Sequence, residues 1–200
     1  LCFDALGVDA MTVAAHKMGG PQGAAALVLK KHVDIDPLLY GGGQEHGLRS
    51  GTENLAAIVG FGVAAERVVG ALEANHRHIS ALRERLELGL HQLSLGVVIF
   101  GEDAHRLPNT TFFAVPNVDG ETLVIALDSA GFAVASGSAC SSNSHQASHV
   151  LTAMGISEDL ARGAVRVSLG EDNYAAQIDD FLMALKQTLT RFQRLCSLAV

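Results

Sequence analysis

The chain has 200 residues, 48% of them hydrophobic, and a formal net charge of −7 with a pI near 5.6. That length allows one substantial domain or two small ones, and the acidic balance argues against a nucleic-acid or anionic-membrane surface. Three cysteines, Cys2, Cys140 and Cys196, form neither a disulfide framework nor a zinc pattern, so no metal site is expected and a reducing, cytoplasmic setting is.

The chain opens Leu1-Cys2-Phe3-Asp4 without an initiator methionine, as expected of a processed chain or of the later part of a longer one. Residues 9–14 are β-prone and read as a short strand. In Ala14-Ala15-His16-Lys17-Met18-Gly19-Gly20-Pro21-Gln22-Gly23, residues 17–23 then read as a tight turn. A lysine leaving a buried strand loses its proton readily by desolvation and becomes a nucleophile toward carbonyls. The alternative is a surface-turn lysine, since glycine turns after strands are common. Residues 24–29 form a continuous apolar run, compatible with a buried strand.

Next comes Gly41-Gly42-Gly43-Gln44-Glu45-His46-Gly47-Leu48-Arg49-Ser50-Gly51-Thr52-Glu53-Asn54. Arg49 and the Ser50 and Thr52 hydroxyls are good phosphate partners, and Thr52 or Asn54 is placed to cap the following helix. A flexible solvated loop is the alternative. Residues 55–72 read as a closely packed internal helix. Glu66, Arg67 and three glycines interrupt that run, which argues against a membrane span. Residues 73–95 read as a separate amphipathic helix, with Ile79, Leu82, Leu86, Leu90 and Leu93 on one face. The change of character at Glu73 sets the expected domain boundary, 1–72 and 73–200. His76, His78 and His91 read as solvated helix residues. Beyond them the pattern is α plus β: strands at 97–100, 108–115, 132–135 and 164–169, and helices at 120–129, 146–154 and 173–195.

Two further features carry chemistry. Cys140 lies in Ser136-Gly137-Ser138-Ala139-Cys140-Ser141-Ser142-Asn143-Ser144-His145, a polar stretch where a thiol is accessible enough to react. An inert small residue is the alternative. In Ala164-Val165-Arg166-Val167-Ser168, period two puts Arg166 opposite the valines. An arginine in an apolar strand needs an anionic partner, either a substrate carboxylate held bidentately or an internal Asp or Glu.

The ordered set His16-Lys17 with Gly20-Pro21-x-Gly23, Gly41-Gly42-Gly43-x-Glu45 with Arg49-Ser50-Gly51-Thr52, Ser136-Gly137-Ser138-Ala139-Cys140 and Val165-Arg166-Val167-Ser168-Leu169-Gly170 resembles the cysteine desulfurases of aminotransferase class V. Pro108-Asn109 and Gly120-Glu121-x-Leu123 also fit. The resemblance implies an α/β chain of the fold-type I pyridoxal-phosphate transferases: the end of the large cofactor domain, then the small C-terminal α/β domain with the catalytic cysteine loop. It implies that Lys17 holds pyridoxal 5′-phosphate as a Schiff base and moves the substrate proton, while His16 frames the site. It implies further that Thr52 would reach the cofactor phosphate of the other subunit of a homodimer, and that Arg166 would grip the carboxylate of free L-cysteine. By the same resemblance Cys140 would attack the substrate sulfur, giving a persulfide on Cys140 and releasing L-alanine. A mobile loop would then hand the sulfur to an iron–sulfur scaffold or a thiolation partner.

Ala14 stands where the family usually has a phosphate-binding Ser or Thr, and His46 where it commonly has Arg. The family's first half, with its ring-stacking histidine and pyridine-binding aspartate, is not in the chain, so weak cofactor binding by this chain alone is expected. A selenocysteine lyase, another class V enzyme, or a non-catalytic remnant that folds with a full-length partner are the competing readings.

Overall fold

A computed structural model describes residues 2–93, 95–136 and 147–198, the last three by backbone alone. The chain divides into two compact units, Leu1–Glu73 and Ala74–Val200.

In the first unit, β1 (Ala10–Ala14) and β2 (Ala25–Leu29) pair antiparallel, with Ala14 opposite Ala25. A single 3-10 turn, Ala15–Met18, follows β1 and ends on Gly19 in the left-handed conformation. The two strands were expected to be buried. Instead both alternate between exposed and half-buried positions, because a two-stranded ribbon offers only a thin packing surface. Its core is small: Ala15, Ala24 and Ala57, with Phe61 packed against them.

Residues 55–95 were expected to make two helices. They make one, α1 (Leu55–Gln92), which runs unbroken through the division at Glu73. The stretch Gly70-Ala71-Leu72-Glu73-Ala74-Asn75 holds no proline, and its other residues are good enough helix formers to carry the single glycine. Nor is the first half internal: Leu55, Val59, Val63, Val69 and Leu72 are all exposed. By length and composition alone α1 could cross a membrane, since Glu66 and Arg67 are too few to exclude it.

The second unit is a four-stranded antiparallel sheet in the order β3 (Val98–Ile99), β4 (Thr110–Ala114), β6 (Ala164–Ser168), β5 (Ala135–Ser136). Period two sends Phe113, Val165 and Val167 to one face, against Leu82, Leu86 and Leu90 of α1, α2 (Gly120–Ser129) and α5 (Ala175–Leu198). Each such leucine or phenylalanine contributes about 1.5–3 kcal/mol by burial. The other face is thinner: Phe100, Ala114 and Ala164 meet Leu151 of α3 (His149–Ala153) and Ala161 of α4 (Glu158–Arg162). The sequence reading assigned no helix to α4.

Helix α2 begins at an Asp119 cap that accepts from the Thr122 amide at 2.8 Å. Gly120 is required there: a Cβ would lie 2.8 Å from the carbonyl oxygens of Arg162 and Ala164. Where β6 ends, Asn173 Oδ1 accepts from the Gly170 amide, and the Asn173 carbonyl lies 2.8 Å from His78 Nε2 on α1. His91 likewise contacts Glu102 at 2.6 Å. Both histidine side chains are exposed on α1, as read from the sequence, and each adds one surface contact.

Arg85 and Asp179 join α1 to α5 bidentately, both contacts at 2.7 Å. The hydrogen bond from Arg85 holds the Asp179 carboxyl below the ordinary carboxylate range. With a lowered folded-state value, the pair's stabilisation is full above the unfolded aspartate range and is lost as pH falls through Asp179's own titration. Asp179→Asn is therefore expected to lose a small increment at neutral pH and none in strong acid, the pair being half exposed. Urea unfolding at stepped pH would show this as two curves converging at the acid end; a constant gap would refute it.

Candidate active site

Lys17 and His16 sit in the 3-10 turn after β1, and both side chains are exposed. The expectation of a desolvated lysine is not met within this unit, because the strand before it is only half covered. The turn is seated on α1 through small residues. A Cβ on Gly20 would approach Ala64 to 3.2 Å, and one on Gly60 would meet Pro21 at 2.8 Å. Asn54 caps α1, its Oδ1 accepting from the Ala57 amide at 3.3 Å. A Cβ on Gly23 would lie 3.7 Å from the Asn54 side-chain nitrogen. The lysine turn and the glycine-rich loop therefore meet at the start of α1.

That loop is tightly wound. The Ser50 amide donates to the Leu39 carbonyl at 3.2 Å, and its hydroxyl donates to the Tyr40 carbonyl at 3.1 Å. Gln44 Oε1 accepts from the Gly51 amide at 3.3 Å, and Arg49 Nη1 donates to the Ser50 carbonyl at 2.9 Å. Between these contacts Glu45 and His46 adopt left-handed backbone at φ 51° and 56°. Two consecutive non-glycine residues there store strain that the rest of the loop must hold. Of the groups expected to bind phosphate, Ser50 is spent inside the loop and Arg49 partly so. Thr52 is exposed, and its hydroxyl has no partner among the described residues.

Arg166 lies in the second unit. It projects from β6 between buried Val165 and Val167, opposite Phe112 of β4 on one side and Ala135 of β5 on the other. It is exposed and forms no ion pair with an Asp or Glu among the described residues, so the internal-partner alternative falls away there. The sheet edge beside it is β5, whose last residue, Ser136, opens the segment that carries Cys140. Cys140 itself lies outside the described residues, and no metal-binding cluster occurs among those described. The sequence reading missed Gln44 as a loop constraint; its position within the glycine run was the available signal.

Residues 2–181 match the aminotransferase class-V family. The chain belongs to that family. Its members are pyridoxal-phosphate enzymes of fold type I. A cysteine desulfurase of Bradyrhizobium diazoefficiens is 43% identical over 186 residues, covering 93% of this chain and 47% of the relative. An IscS-like cysteine desulfurase of Mycobacterium tuberculosis is 40% identical over 195 residues, covering 97% of this chain and 50% of the relative. A NifS-like protein from Rickettsia africae, known by X-ray structure, superposes with a TM-score of 0.83 at 38% identity, covering 94% of this chain and 49% of that one. The chain thus spans about half the length of the class-V relatives it matches. The family match runs through α1, which makes that helix part of the family fold.

Proposed function

We propose that this chain carries the lysine, sulfur-relay and carboxylate-binding parts of a cysteine desulfurase that acts on L-cysteine. The observation that carries the reading is the exposed Arg166 guanidinium, which has no ion-pair partner among the described residues, on the strand paired with β5, after which Cys140 follows in sequence. A guanidinium so exposed suits a substrate carboxylate held bidentately.

The exposed Lys17 amine and the Thr52 hydroxyl, which has no partner among the described residues, suit the aldehyde and phosphate of pyridoxal 5′-phosphate. When bound, that group supplies the electron sink. Arg166 holds the substrate carboxylate, Lys17 Nζ moves the proton at the substrate Cα, and His16 frames the lysine. The Cys140 thiolate attacks the substrate sulfur. An S–S bond forms on Cys140, the substrate Cβ–S bond breaks with its electron pair going to carbon, and protonation of that carbon leaves L-alanine. The persulfide then passes to an iron–sulfur scaffold or another acceptor. A reducing cytoplasm suits a thiol that must stay unpaired. A homodimer suits a Thr52 that serves the partner's cofactor.

In this reading the first unit is the end of a larger cofactor domain and the second is the small α/β domain. The exposed apolar residues of α1 support it, as does a length about half that of the relatives. By itself the chain is then expected to bind cofactor weakly and release little alanine. Co-expression with the N-terminal half of the Bradyrhizobium relative is expected to raise both. In that assembly Cys140→Ala should abolish persulfide transfer yet leave cofactor attached, whereas Lys17→Ala should abolish attachment, read by borohydride reduction and mass spectrometry. Full persulfide transfer by Cys140→Ala would end the reading.

A second reading, a non-catalytic companion of a complete enzyme, is favoured by Ala14. It occupies the cap of the lysine turn and supplies no side-chain oxygen there. Absence of recovered activity on co-expression would support it.

A further inference from the structure

We propose that Ser50 and Gln44 are positioning residues that together set the Thr52 hydroxyl for a cofactor phosphate. The inference rests on the reading that Thr52 binds that phosphate.

Four hydrogen bonds close the loop just ahead of Thr52. Two come from Ser50, whose amide and hydroxyl reach the Leu39 and Tyr40 carbonyls, fastening the far end of the loop to its entrance. A third reaches Gln44, whose Oε1 accepts from the Gly51 amide, the residue directly before Thr52. The fourth, from Arg49, braces the Ser50 carbonyl.

The glycines make room for these side chains. A Cβ on Gly41 would lie 3.0 Å from Ser50 Cβ, and one on Gly42 would overlap the Gln44 amide. Gly51 takes φ 103°, which other residues avoid. Gln44 and Ser50 are therefore directed inward, onto the loop's own backbone. The Thr52 hydroxyl is left pointing at nothing within the chain's described residues. A hydroxyl held ready by neighbours that do not themselves bind is how a weak single contact gains directional precision.

The test separates the phosphate from the aldehyde. The full chain, co-expressed with the N-terminal half of the Bradyrhizobium relative, is dialysed against pyridoxal 5′-phosphate and, separately, against pyridoxal, which lacks the phosphate. Ser50→Ala and Gln44→Ala are expected to reduce the preference for the phosphorylated form about five- to tenfold, with pyridoxal affinity unchanged. Ser50→Thr retains the needed hydroxyl and should restore it. Thr52→Ala should match the alanine variants. A merely structural defect would weaken both ligands together, and that result overturns the inference. An unchanged preference in Ser50→Ala and Gln44→Ala, while Thr52→Ala loses it, also overturns the inference and leaves Thr52's role standing. Equal affinity for the two ligands in the unaltered chain overturns the Thr52 reading and the inference with it.

Discussion

Glu87→Ala is expected to cost the chain about 3–5 kcal/mol of folding stability, the size typical of breaking a buried ion pair from one side. Glu87 sits on α1, nearly out of reach of water. Its carboxylate accepts two hydrogen bonds from Arg106, at 2.9 and 3.0 Å, and a third at 2.9 Å from the Thr111 hydroxyl. Arg83, one turn earlier on the same helix, stands 4.0 Å away and donates to the Leu107 carbonyl. Two guanidinium groups thus share one carboxylate, and the Nε of each is already buried without a hydrogen-bond partner. Removing the carboxylate leaves both charges in a poorly hydrated place and strands the fully buried Thr111 hydroxyl.

Thermal unfolding should show a fall of about 10 °C or more. Glu87→Gln keeps one acceptor but turns an NH2 toward a guanidinium, so its loss should be intermediate. Equal, small losses for both variants would show that the carboxylate is not what holds α1 to β4. The consequence reaches the site, because Thr111 pairs with Val167 and its neighbour Phe112 with Arg166. The same contacts that fix α1 on β4 fix the strand from which the guanidinium projects.

This cluster was not legible in the sequence. Glu87 reads there as one more charge on the polar side of an amphipathic helix, and Arg106 as a loop residue. Their meeting depends on how α1 crosses β4, which no local pattern encodes. The strands 10–14, 110–114 and 164–168 and the helix 120–129 were legible, since alternation and apolar spacing act within a few residues. The continuity of α1 was not, because a change in composition at Glu73 looks like an end although nothing there breaks the backbone. The glycine-rich loop shows the same limit at the site. Ser50 and Thr52 are chemically similar and two residues apart, and only the fold separates the hydroxyl that is consumed from the one that has no partner among the described residues.

Arg166→Lys is expected to weaken capture of the L-cysteine carboxylate about 10- to 100-fold while leaving folding stability nearly unchanged. The charge survives, but the planar fork that receives both carboxylate oxygens does not, and charge-assisted hydrogen bonds of that kind are worth about 1.5–3 kcal/mol. Stability should hold because the guanidinium is exposed and has no ion-pair partner among the described residues, so none is orphaned by the change. Val165 and Val167, which face the core, are untouched. In the co-expressed assembly the loss should appear in KM for L-cysteine far more than in the rate at saturation. Cysteamine, which has the thiol and the amine but no carboxylate, provides the control: the parent should favour L-cysteine strongly over it, and Arg166→Gln should erase most of that preference. If Arg166→Gln weakened cysteamine and L-cysteine equally, the guanidinium would be shaping the sheet surface and binding no carboxylate.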